Sequence, residues 1–204
     1  RVMAVASMHQ TADGLALWNA RDLLDDLVTT LRRYVMRASV VFEPNDEPVS
    51  ARKIALNDGQ IALNLAADTY ATDARLAGVP TVHRATLEQF VPQMLNLDRL
   101  GGIDFTKGCY TGQEIVARTH NLGTIKRRML AFDCANAKSL QPGDAMTSVA
   151  GDKIGQVVSA GADRVLAVVR LAALADERVA GDAHVAVGEV LELPYSIPEY
   201  DALR

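Results

Sequence analysis

The last third of the chain is a series of short apolar runs cut by turn residues, and this restricts the folds open to it more than any other feature. Arg128–Cys134, Ala145–Val149, Lys153–Ser159, Arg164–Leu171 and Ala183–Leu193 read as strands. Between them stand Gln141-Pro142-Gly143-Asp144, Ala150-Gly151-Asp152 and Gly161-Ala162-Asp163. Glycine takes backbone angles closed to other residues, proline cannot donate to a sheet ladder, and aspartate bonds to its own backbone, so each cluster ends a strand. Strands of this length repeating at roughly 8–12 residues build antiparallel sandwiches and small barrels. An antiparallel β-domain is therefore expected over residues 124–204.

The first two thirds read differently. Val2–His9 and Gly14–Trp18 are apolar runs joined across an Asp13-Gly14 step, a hairpin signal. Leu23, Leu24, Leu27, Val28, Leu31, Tyr34 and Val35 recur at helical spacing after Asn19, a candidate N-cap, and Val40–Phe42 reads as a further strand. This β-β-α-β order suits an α+β unit over residues 1–48. The stretch Glu43-Pro44-Asn45-Asp46-Glu47-Pro48 can continue neither helix nor central strand and marks a boundary. A second α/β unit is expected over 49–123, with 58–75 of mixed character and a turn at Gly101-Gly102.

Length and composition permit real cores: 204 residues, 49% of them hydrophobic. Apolar runs fall short of the roughly 20 residues that span a bilayer, so no membrane partner is expected. A formal charge of −4 gives no general argument for nucleic-acid binding. Two cysteines, Cys109 and Cys134, form neither a disulfide framework nor a metal-type CxxC, which suits a reducing, cytoplasmic setting. The four histidines have no spacing suited to a metal triad, and no metal is expected. Opening on Arg1 without a signal-peptide layout, the chain is expected to follow further natural sequence.

One segment carries chemistry: Lys107-Gly108-Cys109-Tyr110-Thr111-Gly112-Gln113-Glu114. Thr111 and Glu114 have the spacing of a capping box, so a helix should start there, run through Ile115, Val116 and Arg118, and end at Asn121-Leu122-Gly123. Cys109 then stands just before a helix N-terminus, whose unpaired amides favour an anion, with Lys107 adding a positive charge. Gly108 and Gly112 leave space for a tight backbone path and a close ligand. Cysteine is also a common buried small hydrophobe, and Cys134, alternating with Phe132, is read that way.

The run from Lys107 to Arg118 resembles the signature of the YgfZ family, folate-binding relatives of the glycine-cleavage aminomethyltransferase. The lead-in Phe90-Val91-Pro92-Gln93-Met94-Leu95-Asn96-Leu97-Asp98, then Gly101-Gly102-Ile103-Asp104-Phe105, and the close Leu193-Pro194-Tyr195 are similar too. The resemblance implies ferredoxin-like α/β units of the aminomethyltransferase type with a C-terminal β-barrel. It also implies a tetrahydrofolate-binding protein that supports assembly or repair of iron–sulfur enzymes and, indirectly, tRNA modification, with Cys109 as the functional residue. Folate and iron–sulfur enzymes or assembly proteins are the expected partners.

The same resemblance makes Lys107, Tyr110, Gln113, Glu114 and Arg118 candidate ligand contacts. A guanidinium suits the anionic folate tail, an aromatic ring suits a pterin, and Glu114 can serve both helix start and ligand. Where the aminomethyltransferase carries a glutamate in an R-L-E-A-G stretch, Arg75-Leu76-Ala77-Gly78 offers Leu76. An accessory folate-binding protein is therefore expected over a one-carbon transferase. A third reading is a tRNA- or protein-binding module using the basic cluster Lys126, Arg127 and Arg128, near Arg118 and His120.

Overall fold

The computed structural model describes residues 1–12, 14–36, 39–43, 52–56, 59–63, 74–110, 112–148, 151–174, 179–181 and 188–203. They include ten strands, three α-helices with complete bounds, and helical residues at 74–76. Strands β1 (Ser7–Gln10) and β2 (Leu15–Trp18) form a hairpin, and β3 (Arg52–Leu56) and β4 (Gly59–Leu63) form another. The second hairpin falls in and before the stretch read only as mixed. The Asp58-Gly59 step was its available signal.

The remaining strands make one antiparallel sheet in the order β10-β5-β8-β7-β6-β9. They are β5 (Arg127–Asp133), β6 (Ala145–Ser148), β7 (Lys153–Gly161), β8 (Arg164–Arg170), β9 (Val179–Gly181) and β10 (Val190–Leu191). Four expected strands thus appear within two residues of their sequence bounds. The fifth, Ala183–Leu193, shows strand at Val190–Leu191, and 182–187 lie outside the described residues. Among the described residues the sheet is open between β9 and β10, so the expected closed barrel takes the form of a six-stranded sheet.

This sheet is buried on both faces. In β5, Leu130 and Phe132 point to one side and Met129 and Ala131 to the other, as period-two alternation requires. Leu130 and Phe132 share a core with Val157, Val165, Ala167 and Val169, closed by Ala74, Val79 and Ile197. Met129 and Ala131 pack with Val158, Leu166 and Val168 against Val2, Leu23, Val82, Phe90 and Leu95. Two covered faces explain why β5 and β8 read as near-continuous apolar runs. Val157 and Val158 in β7 alternate into the two cores, and a bulge between Val157 and Ser159 leaves Val158 as the extra residue that shifts the register against β8.

The N-terminal part lies over this second core. Val2 donates to the Phe90 carbonyl and accepts from the Glu88 amide, so the expected strand Val2–His9 is a two-residue pairing followed by β1 at Ser7. Helix α1 (Leu24–Arg32) follows a 3-10 turn at Arg21–Leu23, and no side-chain bond from Asn19 caps it. Tyr34 and Val35 lie beyond the helix end. Asp22 in the 3-10 turn and Asp26 in the first turn of α1 hold Arg84, with Arg84 Nη2 2.7 Å from Asp26 Oδ2. Val40–Phe42, expected as a strand, pairs with none of the described strands. Helices α2 (Gln113–Leu122) and α3 (Pro198–Asp201) complete the set. The acidic linker 44–48 lies outside the described residues.

Candidate functional site

Between the sheet and the segment before it, the Cys109 arm is built in three steps. It leaves the core at Leu100 and passes Gly101, whose φ of 69° needs glycine. Asp104 then closes a turn by accepting from the Thr106 amide at 2.8 Å, the Thr106 hydroxyl at 2.7 Å and the Lys107 amide at 3.1 Å. The Thr106 bonds, chiefly that of its hydroxyl, hold the Asp104 carboxyl below its ordinary range. Beyond the turn, Lys107 sets its Nζ 4.5 Å from the centroid of the Tyr110 ring.

The helix starts where the motif placed it, by a different device. Gly112, with φ 87°, is the N-cap, and no side chain caps α2. Gln113 Oε1 accepts from the Tyr110 amide at 3.0 Å, and the Gln113 amide donates to the Tyr110 carbonyl. Thr111 itself lies outside the described residues. The left-handed φ at Gly112 turns the chain sharply into the helix, which is why glycine stands there. At the far end the helix stops at Gly123 as expected, with that glycine extended at φ −104°.

Cys109 is a free, exposed thiol. Lys107, Tyr110, Glu114 and Arg118 are also exposed, and Gln113 is half-buried. Glu114 and Arg118, four residues apart on α2, share one exposed face. The structure therefore brings Lys107, Tyr110 and Gln113 into direct contacts beside the thiol and leaves Glu114 and Arg118 on the neighbouring helix surface. Phe105, Tyr110 and Ile115 add exposed apolar surface. A thiol so placed is open to a partner or a planar ligand. The exposed rings and cations suit a flat anionic molecule.

Three contributors to the site escaped the sequence reading. Phe105 stacks on His120 with ring centroids 3.9 Å apart, tying the start of the arm to the end of α2. Gln93, 1% exposed, donates from Nε2 to the Val116 carbonyl at 2.8 Å, in the middle of α2. Arg128 is the third, and it corrects the basic cluster. It is fully buried, forked onto Asp98 at 2.7 and 3.0 Å, bonded to Glu199 at 2.8 Å, and donates to the Gln93 carbonyl at 2.8 Å. Burial opposes its charge, but Asp98 and Glu199 outweigh burial and hold the guanidinium protonated beyond its ordinary range. Arg128 is thus a structural post, and only Lys126 and Arg127 remain of the triplet as surface charge.

The same region explains the lead-in and the close. Asn96, left-handed at φ 57°, donates to the Met129 carbonyl at 2.7 Å and to the Tyr195 hydroxyl at 3.3 Å. Tyr195 donates in turn to the Gly78 carbonyl at 2.6 Å, and burial pushes its phenol far up. A Cβ at Gly78, whose φ is 66°, would stand 2.6 Å from Leu193 and 2.8 Å from the Tyr195 oxygen. Residues 90–98 and 193–195 therefore form the joint that carries the arm. Trp18 sits half-buried in β2.

A separate cleft of about 380 Å³ lies between the sheet and α3, lined by Leu130, Val190, Leu193, Tyr195, Ile197 and Tyr200 among others, and holds none of the arm residues. Among the described residues no three His, Cys, Asp or Glu side chains gather as metal ligands, and no helix is long and apolar enough to cross a membrane. Cys134 is buried in the sheet core as expected. Residues 126–194, which contain β5 through β10, match the family model of the CAF17 C-terminal beta-barrel domain, a family related to the YgfZ-type folate-binding proteins. The Cys109 arm precedes the matched stretch.

Proposed function

We propose that this chain is a tetrahydrofolate-binding accessory protein for the assembly or repair of iron–sulfur enzymes, and through them of tRNA modification, with Cys109 as its working residue. The observation that carries this reading is the free, exposed thiol on an arm held by the joint at 93–98 and followed by a CAF17-type sheet domain. A domain of that family is consistent with an iron–sulfur assembly role. The residues around the thiol fit a folate: Lys107 and Arg118 for the anionic tail, Tyr110 for the pterin face, and Gln113 and Glu114 for polar edges. Bound there, a folate would supply one-carbon or redox chemistry, while the protein's side chains bind and orient it. A one-carbon transferase is disfavoured, because Leu76 stands half-exposed where that enzyme's glutamate is expected.

The test pairs function with binding. Cys109→Ala should keep the wild-type fold, because nothing packs on an exposed side chain, yet fail to restore iron–sulfur enzyme activity in cells lacking the protein. Full restoration would end the role assigned to the thiol. Calorimetric titration with tetrahydrofolate should give binding that weakens in Arg118→Ala and Tyr110→Ala. No heat with wild-type protein would remove folate from the proposal.

A further inference from the structure

We propose that Gln93 is the positioning residue of the Cys109 arm, the link through which the sheet domain sets where the thiol stands. The inference rests on the reading of Cys109 as the working residue. Gln93 sits in the 3-10 turn Pro92–Leu95 and is bonded on two sides. Its main-chain carbonyl accepts from Arg128 of β5, and its side-chain amide donates to Val116 of α2. One buried residue thus touches both the sheet's fixed charge and the middle of the motif helix.

The helix has little else to hold it. Among the side chains described in α2, Val116 alone is buried, while Ile115 is 53% exposed. Among the described residues the Phe105–His120 stack is a further tether, and it joins the arm to itself and not to the sheet. A carbonyl inside a helix already takes its own i+4 amide, so the bond from Gln93 Nε2 is lateral and fixes helix position instead of helix formation. The other atom of the Gln93 amide, Oε1, is buried without a partner. Buried polar groups are normally satisfied, so this unpaired oxygen is a cost the structure carries while the amide stays turned toward Val116.

Hydrogen exchange read by mass spectrometry on the full chain tests this, comparing wild type with Gln93→Met and Gln93→Asn. Amides in 116–122 should exchange about tenfold faster in both variants while β5, β7 and β8 keep their protection. Restoration of iron–sulfur enzyme activity in cells should fall in parallel at unchanged levels of folded protein. Unchanged exchange in α2 overturns the positioning role and leaves the proposed function standing. Unfolding of the sheet in both variants, seen as loss of protection throughout, also overturns it, since Gln93 would then hold the core and not the arm. Faster α2 exchange with full cellular activity overturns the link to function. If Cys109→Ala is then also fully active, the failure belongs to the reading of Cys109 itself.

Discussion

A single guanidinium settles much of this molecule. Arg128 is buried with both carboxylate partners and a main-chain carbonyl in place, so its charge is compensated where it stands. Removing it takes the bidentate guanidinium from Asp98, which is only 12% exposed, and leaves the Gln93 carbonyl with the Asn96 amide as its donor. Arg128→Met, close in volume, should therefore cost about 3–5 kcal/mol, read as a lower urea midpoint with an unchanged slope. A cost below about 1 kcal/mol would mean that water reaches the site and that the ion pairs behave as surface pairs do. In sequence this arginine is one of three adjacent cations, and nothing local separates it from Lys126 and Arg127. Its fate depends on Asp98 and Glu199, which lie 30 and 71 residues away in the chain. Cys109 was legible for the opposite reason, because its glycines, its lysine and the helix start are all local.

Among the elements, α3 is a short helix fixed to the sheet through Glu199. Burial raises the Glu199 carboxyl, but Arg128 outweighs burial and holds it below its ordinary 4.5. A carboxyl depressed in the folded state contributes its full stabilisation above the unfolded value and loses it as pH falls through the folded one. Urea midpoints should thus be level near neutrality and decline below pH 4.5, and Glu199→Gln should start lower at pH 7 and decline less. An identical decline in the variant would assign the acid sensitivity elsewhere. Legibility at this scale follows covering and punctuation. β5 to β8 were readable because Gly, Pro and Asp mark their ends and both faces are buried. Val40–Phe42 misled because three apolar residues make a strand only with a partner. The start of α2 was found within two residues, with Gly112 one residue past Thr111 as the N-cap and turning the chain into the helix.

At the scale of the whole molecule, the two thiols report on different parts. Cys134 sits in the sheet core, where burial raises its pKa and keeps it protonated, and Cys109 is exposed on the arm. An aromatic disulfide reagent should consume the exposed Cys109 in a fast phase. Cys134 should react only when the sheet opens, at least about a thousandfold more slowly for a domain of ordinary stability. Two equal phases would show that the sheet does not close over Cys134 in solution. Arg128 has a further consequence at this scale, for how the chain can vary. It gathers Asp98, the Gln93 carbonyl and Glu199 of α3 onto one strand, so positions 98, 128 and 199 do not tolerate change independently. An apolar residue at 128 becomes acceptable once 98 and 199 have lost their charges, and neutralising either carboxylate alone makes the other the arginine's sole counterion. Redesign, and drift among natural variants, would have to move these three positions as one unit.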